Sequence, residues 1–217
     1  MKKCVIIGAG TFYGHLPALA EDDYIIAADG GYKYCKACGI TPDLVIGDFD
    51  SLGKKPGNCP FMQLPVEKND TDTLAAIRLG LKEKYERFHI IAGTGGRIDH
   101  TLANMQSLTF LSNKGKAGFL YDEKNIITAI TDGSIVFPEN AAGTVSVFAA
   151  GDTAKGVTER GLKYSLSNAD LTNDFPLGVS NSFKGTKSKI SVKNGTLYVV
   201  FPISVKCQIV FERSKRQ

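Results

Sequence analysis

The chain has 217 residues, of which 43% are hydrophobic and 22% charged, and its formal net charge is +4. This length can hold one large domain or two small ones. No apolar run approaches the ~20 residues needed to span a membrane, and no dense basic patch suits nucleic-acid binding. The composition therefore predicts a cytoplasmic protein that binds neither a membrane nor a nucleic acid.

The five cysteines support this prediction, because they are scattered in a chain that is too large to need disulfides. Cys35 and Cys38 form a C-x-x-C pair, which leaves a thioredoxin-like redox site open as an alternative. We expect instead that both are small residues on a helix that starts after Gly31.

The first half of the chain alternates strands and helices. Continuous apolar runs predict strands at Cys4–Gly8, Tyr24–Ala28, Asp43–Gly47, Phe88–Gly93 and Ala117–Tyr121. Helical spacing predicts a helix over Thr71–Lys84, with Leu74, Ile77 and Leu81 on one face. A second helix is predicted over Asp99–Ser112, with a similar stripe at Leu102, Met105, Leu108 and Leu111. This alternation predicts an open, mostly parallel α/β sheet domain over residues 1–120.

The second half contains short segments of alternating polarity and no helical stripe. These segments predict strands at Asn125–Thr131, Ser134–Phe137, Thr144–Ala149, Leu162–Leu166, Lys189–Val192 and Thr196–Phe201. Asn194-Gly195 is the strongest of the turn signals between them and predicts a hairpin. We expect a small β-sandwich or barrel domain over residues 121–217.

Acidic residues lie where the predicted strands of the first half end and where its helices begin. They are Asp29, before Gly30 and Gly31; the pair Asp48 and Asp50; the pair Asp70 and Asp72, around Thr71; and Asp99. In an open parallel sheet these positions face one crevice. Most of these residues, taken one at a time, could be explained by a turn or by the favourable interaction of an acid with a helix N-terminus. Asp48 and Asp50 are harder to explain in this way, because their side chains point the same way in extended chain and their charges repel unless a cation or a shared proton lies between them.

Phosphate-binding features accompany these carboxylates. Oxygen ligands without His or Cys favour Mg²⁺ or Ca²⁺. A glycine loop that includes Gly95 and Gly96 precedes the second helix, where backbone N–H groups can bind an anion. Lys68 and Arg97 could neutralise phosphate charge. Together these features predict a site for a metal-bound polyphosphate, which is the ligand of a phosphoryl or pyrophosphoryl transferase.

A competing motif is G-x-G-x-x-x-G at residues 8–14, directly after the first predicted strand. With Asp29 at the end of the second strand, it is typical of a dinucleotide-binding fold and would indicate an NAD-dependent oxidoreductase. That alternative leaves Asp48, Asp50, Asp72 and Asp99 without a role.

The full set of motifs resembles the thiamine pyrophosphokinase family. The resemblance rests on Asp29-Gly30-Gly31, Gly47-Asp48-Phe49-Asp50-Ser51, Lys68 with Thr71-Asp72, Gly96-Arg97-x-Asp99-His100, Gly161-Leu162-Lys163-Tyr164-x-Leu166 and Ser180-Asn181. It implies transfer of the pyrophosphoryl group of ATP to the hydroxyl of thiamine, giving thiamine diphosphate and AMP. It also implies a homodimer whose active sites lie between the α/β domain of one subunit and the β domain of the other.

The resemblance also implies a role for each matching residue. The magnesium ligands would be Asp48, Asp50 and Asp72, which with Asp99 form the catalytic set. The nucleotide side would hold Asp29, Gly30, Gly31, Lys68, Thr71, Gly95, Gly96 and Arg97. The thiamine side would hold Tyr164, Ser180 and Asn181. Tyr164 stands where the family often has Trp, and its ring can still stack on a cationic heterocycle. A pyrophosphokinase that acts on a pterin alcohol and a non-catalytic thiamine or nucleotide sensor remain as alternatives.

Overall fold

A computed structural model of the chain describes residues 2–47, 59–65 and 70–211. The chain divides into two compact units. The first holds Met1–Ser107 and Gly118–Glu123, and the second holds Leu108–Ala117 and Lys124–Gln217. Across the described residues, no helix has both the length and the apolar character that crossing a membrane requires.

The first unit is built on parallel strands. The elements up to residue 123 in chain order are β1 Cys4–Ile7, β2 Tyr24–Ala28, α1 Gly31–Ala37, β3 Leu44–Gly47, β4 Phe61–Gln63, α2 Asp72–Lys82, β5 Arg87–Ile91, α3 Ile98–Asn113 and β6 Ala117–Tyr121. Of these, the last six residues of α3 and the first residue of β6 count with the second unit. The strand order is β6-β5-β1-β2-β3-β4. All four pairings from β5 to β4 are parallel. The chain thus builds outward from β1 to β4 and then returns to the other side of β1, so the order reverses between β1 and β5.

Burial explains why these segments form the sheet. All four residues of β1 are buried, and β2, β3 and β5 each bury at least their last three residues. Each fully buried Val or Ile side chain contributes about 1.5–3 kcal/mol. The predicted strands are therefore confirmed to within two residues at each end, and β4 is a short strand that the sequence did not predict.

The two predicted helices form, but their buried faces differ from the predicted stripes. Helix α2 buries Thr73, Ala76, Ile77 and Gly80. Gly80 is required there because a Cβ would lie 2.6 Å from the ring of Phe88. In α3 the prediction for Leu102 is wrong, since this side chain is 56% exposed, whereas Leu108 and Leu111 are fully buried as predicted.

The second unit consists of two layers of strands. They are β7 Asn125–Thr131, β8 Gly133–Phe137, β9 Thr144–Ala149, β10 Thr153–Arg160, β11 Leu166–Thr172, β12 Asn181–Ser182, β13 Ser188–Ser191, β14 Thr196–Pro202 and β15 Gln208–Phe211. One layer has the order β12-β9-β14-β7 and the other β11-β10-β13-β8-β15. Phe137 of β8 packs edge-on against Phe201 of β14 at 5.2 Å between ring centroids, which joins the layers in an apolar core. The α/β plus β-rich fold class is confirmed.

Two predictions for the second unit are wrong. Residues 162–166 do not form one strand: Leu162 makes an isolated bridge to Phe183, and Leu166 begins β11. Asn194-Gly195 does not close a hairpin, because β13 pairs with β10 and β8 whereas β14 pairs with β7 and β9. The turn carries the chain from one layer to the other.

Candidate active site

A cleft of about 480 Å³ opens where the strand order of the first unit reverses. It is lined by segment 8–11, which follows β1, and by residues 92, 93 and 95–97, which follow β5, together with Asp29, Tyr34, Thr73, His100 and Asn104. The carboxyl ends of strands at such a reversal point form the ligand crevice of open α/β sheets. The structure thus brings together Asp29, Gly95, Gly96 and Arg97 from the predicted nucleotide set.

The floor of this cleft is made by two loops hydrogen-bonded to each other. The N–H groups of Gly10 and Thr11 donate to the carbonyls of Ala92 and Thr94, each at 2.8 Å. A Cβ at Gly10 would lie 2.5 Å from the carbonyl oxygen of Thr94, so the close approach of the loops requires glycine there. Gly10 therefore serves to pack the two loops.

The loop before α3 is rigidly held. Buried Asn104 donates to the carbonyl of Gly93 at 2.7 Å, and the hydroxyl of Thr94 donates to Asp122 at 2.7 Å. Gly95 and Gly96 adopt φ values of 73° and 76°, where other residues are strained. The loop leads directly into the 16-residue helix α3, so its backbone N–H groups and the helix N-terminus can bind an anion.

Arg97 and Asp99 form an exposed ion pair at the same helix start. Arg97 Nη2 lies 2.6 Å and Nε 3.2 Å from the two carboxylate oxygens of Asp99. These hydrogen bonds hold the pKa of Asp99 below its ordinary value. Because both side chains are largely solvent-accessible, the pair adds little to stability and separates easily.

Asp29 lies at the end of β2 with φ 48°, a conformation that is rare outside glycine. Its N–H donates to the carbonyl of Ile46 at 2.7 Å. Gly30 and Gly31 follow it at the start of α1. A Cβ on Gly31 would overlap the carbonyl oxygen of Ile7, so this glycine allows α1 to pack on the end of β1.

The residues at the start of α2 have distinct positions. Thr71 caps the helix, since its hydroxyl accepts the N–H of Leu74 at 3.2 Å. Asp72 is the first helical residue, and the next, Thr73, lines the cleft. Asp70 pairs with Arg78 of α2 at 2.7 Å, so a structural role at the start of that helix accounts for it.

Three predicted site residues, Asp48, Asp50 and Lys68, lie outside the described residues. Within 2–47, 59–65 and 70–211, no group of three His, Cys, Asp or Glu side chains is arranged to hold a metal. Two of the three predicted magnesium ligands are among the residues not described, so this finding does not bear on the predicted set.

The predicted thiamine residues lie together in the second unit. Asn181 is buried, and its side chain brackets the backbone of Tyr164: Oδ1 accepts the Tyr164 N–H at 2.9 Å, and Nδ2 donates to the Tyr164 carbonyl at 2.6 Å. Tyr164 is 60% exposed, and Lys163 Nζ lies 5.2 Å from the centroid of its ring. Ser180 has φ 61°, and its N–H donates to Ser146 Oγ at 3.0 Å.

Two domain models from one family match the chain. The thiamin pyrophosphokinase catalytic domain matches residues 17–119, and the thiamin pyrophosphokinase vitamin B1 binding domain matches residues 134–197. The chain belongs to the thiamine pyrophosphokinase family.

Individual relatives agree with this assignment. A thiamine pyrophosphokinase from Bacillus subtilis is 26% identical over 91% of this chain and 98% of its own length. Thiamin pyrophosphokinase 1 from Caenorhabditis elegans is 25% identical over 84% of this chain and 79% of its own. These relatives are enzymes.

Solved structures of the thiamine pyrophosphokinase family share the fold. A B. subtilis member has a TM-score of 0.81 at 24% identity, covering 94% of this chain and 100% of its own. A family protein from Enterococcus faecalis has a TM-score of 0.75 at 27% identity, covering 93% and 99%.

The structure argues against the dinucleotide-binding alternative. Residues 8–23, all of which the structure describes, contain no helix. A dinucleotide fingerprint needs its glycine loop to open a helix whose N-terminus binds the pyrophosphate. In this thiamine pyrophosphokinase family member, that position belongs to the loop before α3.

The C-x-x-C alternative is equally weak. Cys35 is buried within the packing of α1, and burial raises the pKa of its thiol to about 12. A redox cysteine needs an accessible thiolate near neutral pH. Cys35 is therefore a buried residue of α1, which starts at Gly31, whereas Cys38 lies at the C-cap, just beyond the last helical residue.

Several residues of the site were not predicted from the sequence. Tyr34 donates from its hydroxyl to the carbonyl of Gly10 at 2.7 Å, and Asn104 fixes Gly93. Glu159 binds Asn181 inside the second unit. Asn104 offered one signal, a polar residue on the inward face of a helix. Tyr34 and Glu159 offered none, since their partners are distant in sequence.

Proposed function

We propose that this protein transfers the pyrophosphoryl group of ATP to the hydroxyl of thiamine, forming thiamine diphosphate and AMP. The observation that carries the proposal is that the catalytic and vitamin B1 binding models of one family match the two halves of the chain. The thiamine hydroxyl oxygen bonds to the β-phosphorus, the bond from that phosphorus to the α,β-bridging oxygen breaks, and AMP leaves with that oxygen. The hydroxyl proton passes to a carboxylate.

The cleft of the first unit is the proposed site of the ATP phosphates. The N–H groups around Gly95 and Gly96 precede the N-terminus of α3, which favours anions. A Cβ on Gly95 would overlap the hydroxyl of Thr11, so the loop leaves no room for a side chain there. Such catalysis depends on positioning and on charge stabilisation, both of which a rigid loop provides.

Arg97 is the proposed cation for the transferring group. Its guanidinium pairs with Asp99 at 2.6 Å. A phosphate in the cleft would compete for Arg97, and the loss of its hydrogen bonds would raise the pKa of Asp99 toward the ordinary value. Asp99 then becomes a better proton acceptor at the moment that phosphate is bound. Asp72 is the other candidate for that role.

Mg²⁺ is the proposed cofactor, with Asp48, Asp50 and Asp72 as its ligands. The described carboxylates at this sheet edge, Asp29 and Asp72, are hard oxygen donors of the kind that Mg²⁺ prefers. When bound, Mg²⁺ would offset the charge on the phosphate oxygens.

Tyr164 is the proposed contact for thiamine. Lys163 Nζ already lies over its ring, which shows that the face accepts a cation. The positively charged thiazolium of thiamine can take the same place by stacking. Asn181 has all four of its hydrogen-bonding positions occupied within the protein, so it supports the site by holding Tyr164.

A homodimer is also proposed, with each active site shared between subunits. The second unit exposes an apolar patch, here defined as Phe148, Phe175, Leu177 and Val179. The two segments that carry it are hydrogen-bonded, since the N–H of Val147 donates to Gly178 at 2.8 Å. Exposed apolar patches typically mark interaction surfaces. The cytoplasmic location stays a prediction.

The deciding experiment incubates the protein with Mg-ATP and thiamine and separates the nucleotide and vitamin products. AMP with thiamine diphosphate is expected. ADP with thiamine monophosphate would instead indicate a simple kinase. Turnover with a hydroxymethyl pterin and none with thiamine would favour the pterin alternative. Thiamine binding without nucleotide turnover would indicate a sensor.

A further inference from the structure

Glu159 is a buried carboxylate in the β-rich unit for which the reaction described above has no use. It lies on β10 and is 1% exposed. Oε2 accepts a hydrogen bond from Asn181 Nδ2 at 2.7 Å, and Oε1 is buried without a partner among the described residues. Burial raises its pKa. A buried carboxylate with one hydrogen bond is costly, so its presence calls for an explanation beyond packing.

The bond to Glu159 completes the hydrogen bonding of Asn181. Asn181 Oδ1 accepts from the N–H groups of Tyr164 and Ser182, both at 2.9 Å. Nδ2 donates to the Tyr164 carbonyl and to Glu159. An amide has two donor hydrogens and two acceptor positions, so all four are used. If the amide were flipped, Oδ1 would face both the Glu159 carboxylate and the Tyr164 carbonyl, and this arrangement is repulsive.

The segment that Asn181 holds lacks a strand of its own. Residues 163–165 belong to no strand, and Tyr164 is mostly exposed. Besides the Asn181 bracket, the segment is tied by the Lys163 N–H, which donates to Ser182 at 2.9 Å, and by the bridge from Leu162 to Phe183. The orientation of the ring therefore depends on few contacts, and Asn181 supplies two of them.

We propose that Glu159 is a positioning residue for the acceptor side of the site, fixing the Asn181 amide so that it holds the Tyr164 backbone and ring in place. The proposal rests on the proposed function in one respect, namely that Tyr164 contacts thiamine. The effect of the Glu159 side chain passes through Asn181, because Asn181 is the only hydrogen-bond partner of its carboxylate among the described residues.

The test compares Glu159→Met, which keeps the side-chain length but cannot accept the hydrogen bond, with Glu159→Gln, whose amide oxygen can. We expect Glu159→Met to raise the KM for thiamine about tenfold, the size expected for one lost hydrogen bond that leaves a buried donor unpaired. The KM for ATP should stay within about twofold. Glu159→Gln should restore the KM for thiamine. Equal rises in both KM values, or none, would overturn the proposal.

Two controls separate positioning from stability. Ile190→Val removes a methylene from the buried residue that pairs with Glu159 in the sheet, and it should lower the urea midpoint of unfolding without changing the KM for thiamine. In a Tyr164→Ala background, Glu159→Met should add no further rise in that KM. An additive rise would show that Glu159 acts independently of Tyr164. If Glu159→Met does not fold, Glu159→Leu takes its place.

Hydrogen exchange tests the positioning role without enzymatic turnover, so it can be measured even if the proposed function is wrong. Hydrogen exchange of the Tyr164 amide, followed by NMR, should be at least about fivefold faster in Glu159→Met than in the wild type, because a loosened amide bracket opens more often. An unchanged exchange rate would exclude the positioning role. A wild type that makes no thiamine diphosphate would refute the proposed function, and the exchange rate alone would then decide the role of Glu159.

Discussion

Asp70 and Asp72 are two positions apart and both flank the cap residue Thr71, yet their surroundings differ. Asp70 is paired with Arg78 at 2.7 Å on the surface. Asp72 opens α2 immediately before Thr73, which lines the cleft. Two aspartates within one helical turn thus have different roles: Asp70 forms a surface ion pair, and Asp72 lies next to the cleft.

The two aspartates should differ in catalysis. Asp72→Asn should lower kcat at least about 100-fold, because it removes a proposed carboxylate ligand of Mg²⁺ and with it part of the cation's stabilisation of the phosphate charge. Asp70→Asn breaks a surface ion pair, costs about 0.5 kcal/mol at most and should leave kcat within about twofold. Steady-state kinetics with thiamine and Mg-ATP would measure both. Equal losses in the two variants would contradict the assignment of Asp72.

Asp99 should titrate at lower pH than an ordinary aspartate, since its hydrogen bonds from Arg97 lower its pKa. A depressed carboxylate pKa favours the folded state at pH values above the unfolded pKa, and the benefit is lost as the pH falls through the folded pKa. Carboxyl ¹³C NMR should show the pKa of Asp99 rising in Arg97→Gln. The pKa of Asp23, which is bonded to Lys3, should not change. A constant Asp99 pKa would refute the pairing in solution.

Among the elements, α1 depends on a glycine at its first position. A Cβ on Gly31 would overlap the backbone of Ile7, which cannot move without disturbing β1. Gly31→Ala should therefore destabilise the protein by about 1–3 kcal/mol. Gly151→Ala is the control, because no atom lies within 4 Å of its Cβ position. Urea unfolding would measure both, and similar midpoints would disprove the close packing of α1 on β1.

The sequence predicted the positions of strands and helices better than it predicted which strands pair with each other. Continuous apolar runs located β1, β2 and β6 because burial on both faces leaves a local signal. The hairpin at Asn194-Gly195 was wrong because a turn motif specifies a local bend, whereas distant strands determine which sheet each flank joins. Leu102 was assigned to the core because periodicity defines a face but does not reveal what covers it.

In the candidate site, too, the sequence predicted the residues that carry motifs but not the contacts that support them. Asp29, Gly95, Gly96 and Arg97 were predicted together, because the ends of parallel strands share one edge. The bracket formed by Asn181 and Glu159 was not, since it depends on a contact between side chains 22 positions apart in a β-rich unit. Sequence motifs therefore identify the residues that carry the chemistry, whereas the contacts that hold them in place can be identified only from the folded structure.

For the whole molecule, the proposed homodimer has a matched test. Val179 lies in the apolar patch, and Val210 lies on β15 outside it, and both are 42% exposed. Val179→Asp should weaken dimerisation at least about tenfold, because a charge would be buried in the interface, whereas Val210→Asp should not. Light scattering over a concentration series would measure the dissociation constant. A monomeric wild type would refute the dimer.

The separation in sequence between β14 and its two neighbouring strands sets the order in which the protein can assemble during synthesis. β14 lies between β7 and β9 and pairs with both. Thr131 of β7 meets Thr196 across a separation of 65 residues. At ~5–20 residues per second, the ribosome takes about 3–13 s to cover that distance. Through that interval β7, and β9 once it has been made, lack their shared partner, so a nascent chain arrested between residues 149 and 196 exposes two strand edges to neighbouring chains.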